Sequence, residues 1–187
     1  DRAVSEDLVR SVIELRDGAR LQHVVADFVR SAYTQPPLIA WAIRELDRHA
    51  PVSDAAIREF YPPLRDYHEW LNQNRRLDNG LYFWEHPYES GVENSPRFSS
   101  RDERELSDTR SLGAPDLSSY VVLQLEALEW MANRLERGAD AKAYHQRAED
   151  LRGRINQRLW HEGEGFYFDR RIDGSWVASR TIASLMQ

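Results

Sequence analysis

Four apolar segments alternate between two kinds of helical pattern, and this alternation most restricts what the chain can fold into. Pro37 to His49 carries Leu38, Ile39, Trp41, Ala42, Ile43 and Leu46 around most of a helical circumference, whereas Asp54 to Asn74 keeps Ile57, Phe60, Tyr61, Leu64, Tyr67, Trp70 and Leu71 on one side. The same contrast follows between Asp116–Arg137, with a wide apolar face, and Ala141–Leu159, with a narrow one. A helix that is apolar all round belongs inside, and one with a single apolar stripe lies outside. The pattern therefore predicts an all-α protein with an inner and an outer layer of helices.

Turn and cap residues divide the segments. Pro36 and Pro37 suit a helix start, Pro51 ends that helix, and Ser53 is a plausible N-cap for the next one. Pro62 and Pro63 predict either a kink or two successive helices. Pro115 and Gly138 bracket the third segment, and the polar and aromatic alternation on both sides of Asp173-Gly174 predicts a short β-hairpin near 165–177. Spacing also predicts two helices before residue 30, over Ser5–Arg16 and Leu21–Val29, and a final helix beginning in "ASRTIASLMQ".

If the layers hold, each outer-to-inner connection falls on one rim. That gathers "YTQPP", the turn-rich stretch from Leu77 to Pro115 and the segment 160–180 at the N-termini of inner helices. Long polar loops of this kind are commonly functional.

Composition narrows the chemistry. With 187 residues, net charge −6 and Lys142 as the sole lysine, the chain offers no basic patch for nucleic acid. It has no cysteine, which excludes thiolate metal sites and cysteine nucleophiles, and its six histidines lack zinc-type spacing. No metal or other cofactor is called for. No run of about 18 apolar residues predicts a membrane span, and no signal peptide is visible, so the expected location is cytoplasmic. The start at Asp1 and the end within an apolar segment predict truncation at both ends. Oligomeric state is left open.

The stretches "TQPPLIAWA", "ESGVENSPRF", "DLSSYVVLQLEALEWMA" and "LWHEGEGFYFD" occur in the order and with roughly the spacing of glycoside hydrolase family 63. The chain resembles that family of inverting α-glycosidases over about residues 33 to 187. It includes processing α-glucosidases and mannosylglycerate and glucosylglycerate hydrolases. The neighbouring trehalase family, with a similar E-S-G-x-D pattern, is a rival. The resemblance implies an (α/α)6 toroid of which residues 1–187 supply about half the ring, as a partial catalytic domain acting on an α-linked glucoside or mannoside.

Inverting hydrolysis uses a carboxylic acid to protonate the leaving oxygen and a carboxylate to activate water. By the resemblance, the acid position is Glu93, where the family pattern carries Asp, and the base is a glutamate downstream of this chain. Glu89 and Arg97 flank Glu93 and could set its protonation, bind substrate or, as plain structure, brace the loop with a salt bridge. Asn94, Gln35, Asp116 and Tyr120 are candidates to bind sugar hydroxyls, and Tyr82, Trp84, Trp160 and Tyr167 to face a pyranose ring. Because Glu replaces Asp, a carbohydrate-binding homologue without turnover is the second expectation. A helical interaction scaffold is a third, and it leaves the polar loop unexplained.

Overall fold

The structure is a computed structural model that describes residues 2–98 and 109–185. Residues 99–108 of the long loop and the last two residues of the final apolar segment lie outside the described part.

Five α-helices carry the fold: α1 (Arg2–Glu14), α2 (Ile39–His49), α3 (Asp54–Asn74), α4 (Pro115–Arg134) and α5 (Gly138–Leu159). The two layers are present. On α4, Leu117, Val121, Val122, Leu125, Ala127, Leu128 and Met131 are all buried, covering most of the helix circumference. Its partner α5 buries only the stripe Ala141, Tyr144, Ala148, Leu151, Ile155 and Leu159, and α3 buries the stripe from Ile57 through Leu71. The inner α4 thus packs against α2, α3 and α5. On α2 only Ala40 and Ile43 are fully buried; Ile39, Trp41 and Leu46 are half-covered, so this helix is less enclosed than its pattern predicts.

Ser53 caps α3 by accepting from the Ala56 amide at 3.1 Å. The helix runs unbroken through Pro62 and Pro63, so the segment is one helix rather than two in succession. Helix α4 opens as its sequence predicts, with Pro115 in the first turn and Asp116 after it.

The expected second helix, Leu21–Val29, is absent. Strands β1 (Val25–Ala26) and β2 (Val29–Arg30) form a small antiparallel hairpin there, with Ala26 paired to Val29. The apolar spacing misleads because only Leu21 is buried, while Val24, Phe28 and Val29 are exposed, Phe28 to 98%. Without an apolar face against the core, the β-branched Val24-Val25 step favours the extended form.

The hairpin near 165–177 is present and larger than expected. Strand β3 (Leu112–Gly113) pairs with β6 (Asp169–Arg171), which pairs with β7 (Trp176–Val177) across a turn where Gly174 has φ +88°. Between α5 and β6, β4 (Trp160–His161) pairs with β5 (Phe166–Tyr167). The described part of the final segment is a 3-10 turn over Ile182–Leu185. The three-stranded sheet therefore ties the entry to α4 to the segment that follows α5.

Candidate active site

The loop from His86 to Phe98 is built from two 3-10 turns, Pro87–Ser90 and Pro96–Phe98, separated by an exposed crest. His86 caps the first turn through Nδ1, and Gly91 ends it with φ +70°, the left-handed region that glycine adopts without strain. Each turn is anchored by one buried charged side chain. The crest between them presents Glu93 and Asn94 to solvent.

Glu89 makes the first anchor and is 0% exposed. Its Oε1 accepts from the Thr34 amide at 3.0 Å and Arg75 Nη2 at 2.8 Å, and its Oε2 accepts from Arg75 Nε at 3.1 Å and the Glu85 amide at 2.9 Å. Four donors fill a carboxylate's acceptor sites. Arg75, which also pairs with Glu85 and lies over the Trp70 ring, is the C-cap of α3. Glu89 therefore joins three segments: the approach to α2, the end of α3 and the loop itself.

Arg97 makes the second anchor and is 2% exposed. Its Nη1 and Nη2 reach Asp116 Oδ1 and Oδ2 at 3.0 and 2.5 Å, and Nη1 also reaches Asp169 Oδ1 at 3.2 Å. Asp116 accepts further from Trp84 Nε1 at 3.1 Å and the Leu117 amide at 2.8 Å, in the first turn of α4 where a helix favours negative charge. One guanidinium thus faces two carboxylates. Burial pushes the Asp169 carboxyl up to about 7, the Arg97 charge opposing that shift and Asp116 adding to it. The Arg97 Nε is buried and has no acceptor among the described residues.

The expected site residues divide accordingly. The structure brings Trp84, Arg97, Asp116 and Tyr120 together; the Tyr120 ring lies edge-on to Trp84 at 6.4 Å. Gln35 follows Thr34, so Glu89 holds it near the loop, with its carbonyl accepting from Tyr67 Oη at 2.6 Å. Glu89 and Arg97 do not meet each other or Glu93; the structure spends both on other partners. Tyr82 turns elsewhere: it is buried, its amide bonds to Ser118 Oγ at 3.1 Å, and its hydroxyl donates to Asn72 on α3. Trp160 and Tyr167 form their own edge-to-face pair at 5.0 Å across β4 and β5, with Trp160 Nε1 on Glu162 and Tyr167 Oη on Asn156.

Arg75 and Asp169 escape the sequence reading. Arg75 sits in an unremarkable "NRR" run. Asp169 ends the quoted "LWHEGEGFYFD", yet only its pairing in β6 shows that it lies beside Arg97. No helix among the described residues is long and apolar enough to cross a membrane.

Helices paired in two layers, with a carboxylate-bearing loop pinned to the N-terminus of an inner helix, are the arrangement of part of an α/α toroid. The chain belongs to the mannosylglycerate hydrolase MGH1-like glycoside hydrolase domain family, whose model matches residues 9–187. It is 41% identical over 70 residues to a mannosylglycerate hydrolase of Thermus thermophilus, covering 35% of this chain and 17% of that protein. A Borreliella burgdorferi protein without assigned function is 26% identical over 146 residues, covering 78% of this chain and 28% of that one. Among solved structures, a family 63 mannosylglycerate hydrolase from a second Thermus thermophilus strain, in complex with Tris and D-glycerate, superposes with a TM-score of 0.78 at 20% identity, over 100% of this chain and 61% of that one. Its glucose complex gives 0.74 at 21% identity, over 95% and 57%. The chain thus spans about six-tenths of these solved relatives and less than a third of the curated ones.

Proposed function

We propose that residues 1–187 form the acid-bearing part of an α-glycosidase catalytic domain that hydrolyses an α-linked mannoside or glucoside with inversion, glycosylglycerates being the first substrates to try. In this reading Glu93 protonates the leaving oxygen, and a glutamate outside these 187 residues activates the water. The observation that supports it is the double pinning of the loop: Glu89 and Arg97 are buried and committed at either side, which holds the Glu93–Asn94 crest in place while leaving it open to solvent. The related hydrolase bound to D-glycerate supplies the substrate class.

The buried polar groups of Tyr82, Trp84, Glu89 and Asp116 serve as positioning residues, because their donors and acceptors already have protein partners. Contact with sugar falls to Asn94, Gln35, Tyr120, Trp160 and Tyr167. Glu in place of Asp extends the acid by one carbon–carbon bond, roughly 1.5 Å, and a misplacement near that size costs about 100-fold.

The test uses the full-length protein with mannosylglycerate and glucosylglycerate, following the anomer of the released sugar by NMR. Glu93→Gln should lower kcat by at least about 100-fold with KM little changed, as expected for a general acid. Unchanged turnover in Glu93→Gln would sink the assignment. The Glu-for-Asp replacement also favours a binding homologue without turnover; that reading expects no hydrolysis from the unaltered protein and none gained by Glu93→Asp.

A further inference from the structure

The outer wall has a cleft of about 270 Å³ between α3 and α5. Its walls carry Arg76, just past α3, and Arg147 and Arg154 on α5; Glu69, Asn72 and Asp150 complete the polar lining. Of the two acids, only Glu69 has a cationic partner among the described residues. Glu69 accepts from Arg147 at 2.7 Å and from Asn72 at 3.3 Å, and Asp150 accepts from Gln146 at 2.9 Å. Arg76 and Arg154 make no side-chain hydrogen bond or ion pair among the described residues, and three guanidinium groups set against the carboxylates of Glu69 and Asp150 leave the cleft with an excess of positive charge.

The cleft is built rather than incidental. Gly80 has φ +85°, and a Cβ there would come within 2.9 Å of the Arg154 side chain, so the turn seats Arg154 against a residue with no side chain. Arg76 pairs with Tyr82 across an isolated β-bridge, which fixes its backbone at the cleft floor. The floor is polar, buried and uncharged: Tyr82 Oη donates to Asn72, whose Nδ2 lies 3.1 Å from His68 Nε2, and His68 Nδ1 lies 3.4 Å from Gln124 Oε1. Asn72 as donor to Nε2 fixes the proton of His68 on Nδ1. Arg76, Arg147 and Arg154 all bear electrostatically on the Tyr82 hydroxyl, so their fields converge at the floor.

We propose that this cleft is a binding site for a phosphoryl dianion, held by Arg76 and Arg154, with the remaining space taking the organic part of a phosphate monoester. Planar guanidinium forks match phosphate oxygens through paired N–H donors, and a partly enclosed site strengthens each charge-assisted bond. The proposal does not rest on the glycosidase reading: apart from Tyr82, none of the lining residues has a role there. Tyr82 and Trp84 are nonetheless two residues apart, so this short segment joins the cleft floor to the Asp116 cluster.

Calorimetric titration of the full-length protein at constant chloride, with inorganic phosphate and with glucose 6-phosphate, tests the proposal. Saturable binding at one site per chain is expected. Tighter binding of the monoester would identify an organic phosphate as occupant, and equal binding would identify free phosphate. The double variant Arg76→Ala/Arg154→Ala should weaken either ligand at least tenfold, with Arg48→Ala on α2 as an unchanged control. Asp150→Asn should tighten binding severalfold, a change of sign that misfolding cannot mimic. No saturable binding of either probe, or binding that survives the double variant unchanged, overturns the proposal.

Discussion

Arg97 and Asp116 form a two-pronged ion pair, Nη1 to Oδ1 at 3.0 Å and Nη2 to Oδ2 at 2.5 Å, between the rim loop and the first turn of α4. Both side chains are almost fully buried, and the pair fixes the far end of the loop to the inner helix. A desolvated pair of this kind need not add net stability, because removing two charges from water costs about as much as their attraction returns. Losing one partner is different. Arg97→Ala strands Asp116 and Asp169 in the interior, so it should cost on the order of 3–5 kcal/mol in urea unfolding. Arg97→Lys keeps the charge but not the fork, and should recover only part of that loss.

The two shifted interior groups set opposite pH trends. Burial holds His68 down to about 4 and Asp169 up to about 7. Between about 4 and 6.5 the unfolded chain carries a proton on the histidine that the folded chain does not, so His68 alone makes stability fall as pH falls. Asp169 works the other way: from about 3.8 to 7 the folded chain holds a proton that the unfolded chain has released, so its contribution to stability falls as pH rises. Each one-proton difference amounts to about 1.4 kcal/mol per pH unit, so the slopes nearly cancel in their common window. Denaturant unfolding between about pH 4 and 6.5 should be close to flat for these two contributions. Asp169→Asn should expose the acid destabilisation due to His68, and His68→Gln should expose the opposite slope. The same slope in both variants would contradict this account.

Glu89 is the other anchor, and its four acceptances cannot be reproduced by an amide. Glu89→Gln replaces one oxygen by a donor that would face Arg75 and a backbone N–H, and it removes the charge that Arg75 balances. A loss of roughly 2–4 kcal/mol in unfolding free energy is expected, in the range for breaking a buried charged hydrogen-bonding group. Limited proteolysis should then cut between residues 86 and 98 faster than in the unaltered protein. If Glu89 instead contacted substrate directly, the amide would impair turnover without this loosening.

How far the sequence discloses the molecule depends on whether the decisive partner is near in the chain. Ser53, Pro115 and Gly174 act through neighbours a few residues away, and each does what its local pattern predicts. The stripe of α5 is legible for the same reason: its period states which side is buried. Leu21–Val29 has the period without the burial, and the local pattern cannot report that no apolar face waits for Val24 or Phe28. At the site, the motif marks Glu89, Glu93 and Arg97 as important, but their partners are distant: Arg75 lies 14 residues from Glu89, and Asp169 lies 72 from Arg97. Proximity in the chain suggests a trio around Glu93, whereas the fold separates it into two anchors and a crest. Tyr82 and Trp84 are near neighbours that reach different distant partners, Asn72 on α3 and Asp116 on α4, which no local pattern reports.

Pro62 and Pro63 inside α3 mark a place where the protein is not at its most stable. Neither can donate to the carbonyl four residues back, and each ring crowds that carbonyl, a cost of about 3 kcal/mol for an interior proline. The helix continues because Phe60, Tyr61, Leu64 and Tyr67 are all buried on its inner side and hold the backbone across the defect. Pro62 is exposed, so Pro62→Ala removes no core contact and restores a donor toward the Arg58 carbonyl. It should stabilise the protein by about 1–3 kcal/mol, the lower end reflecting the entropy that proline removes from the unfolded chain. Thermal unfolding followed by circular dichroism reads the change directly. A lower Tm for Pro62→Ala would show that the ring itself, rather than the apolar stripe, keeps α3 in place.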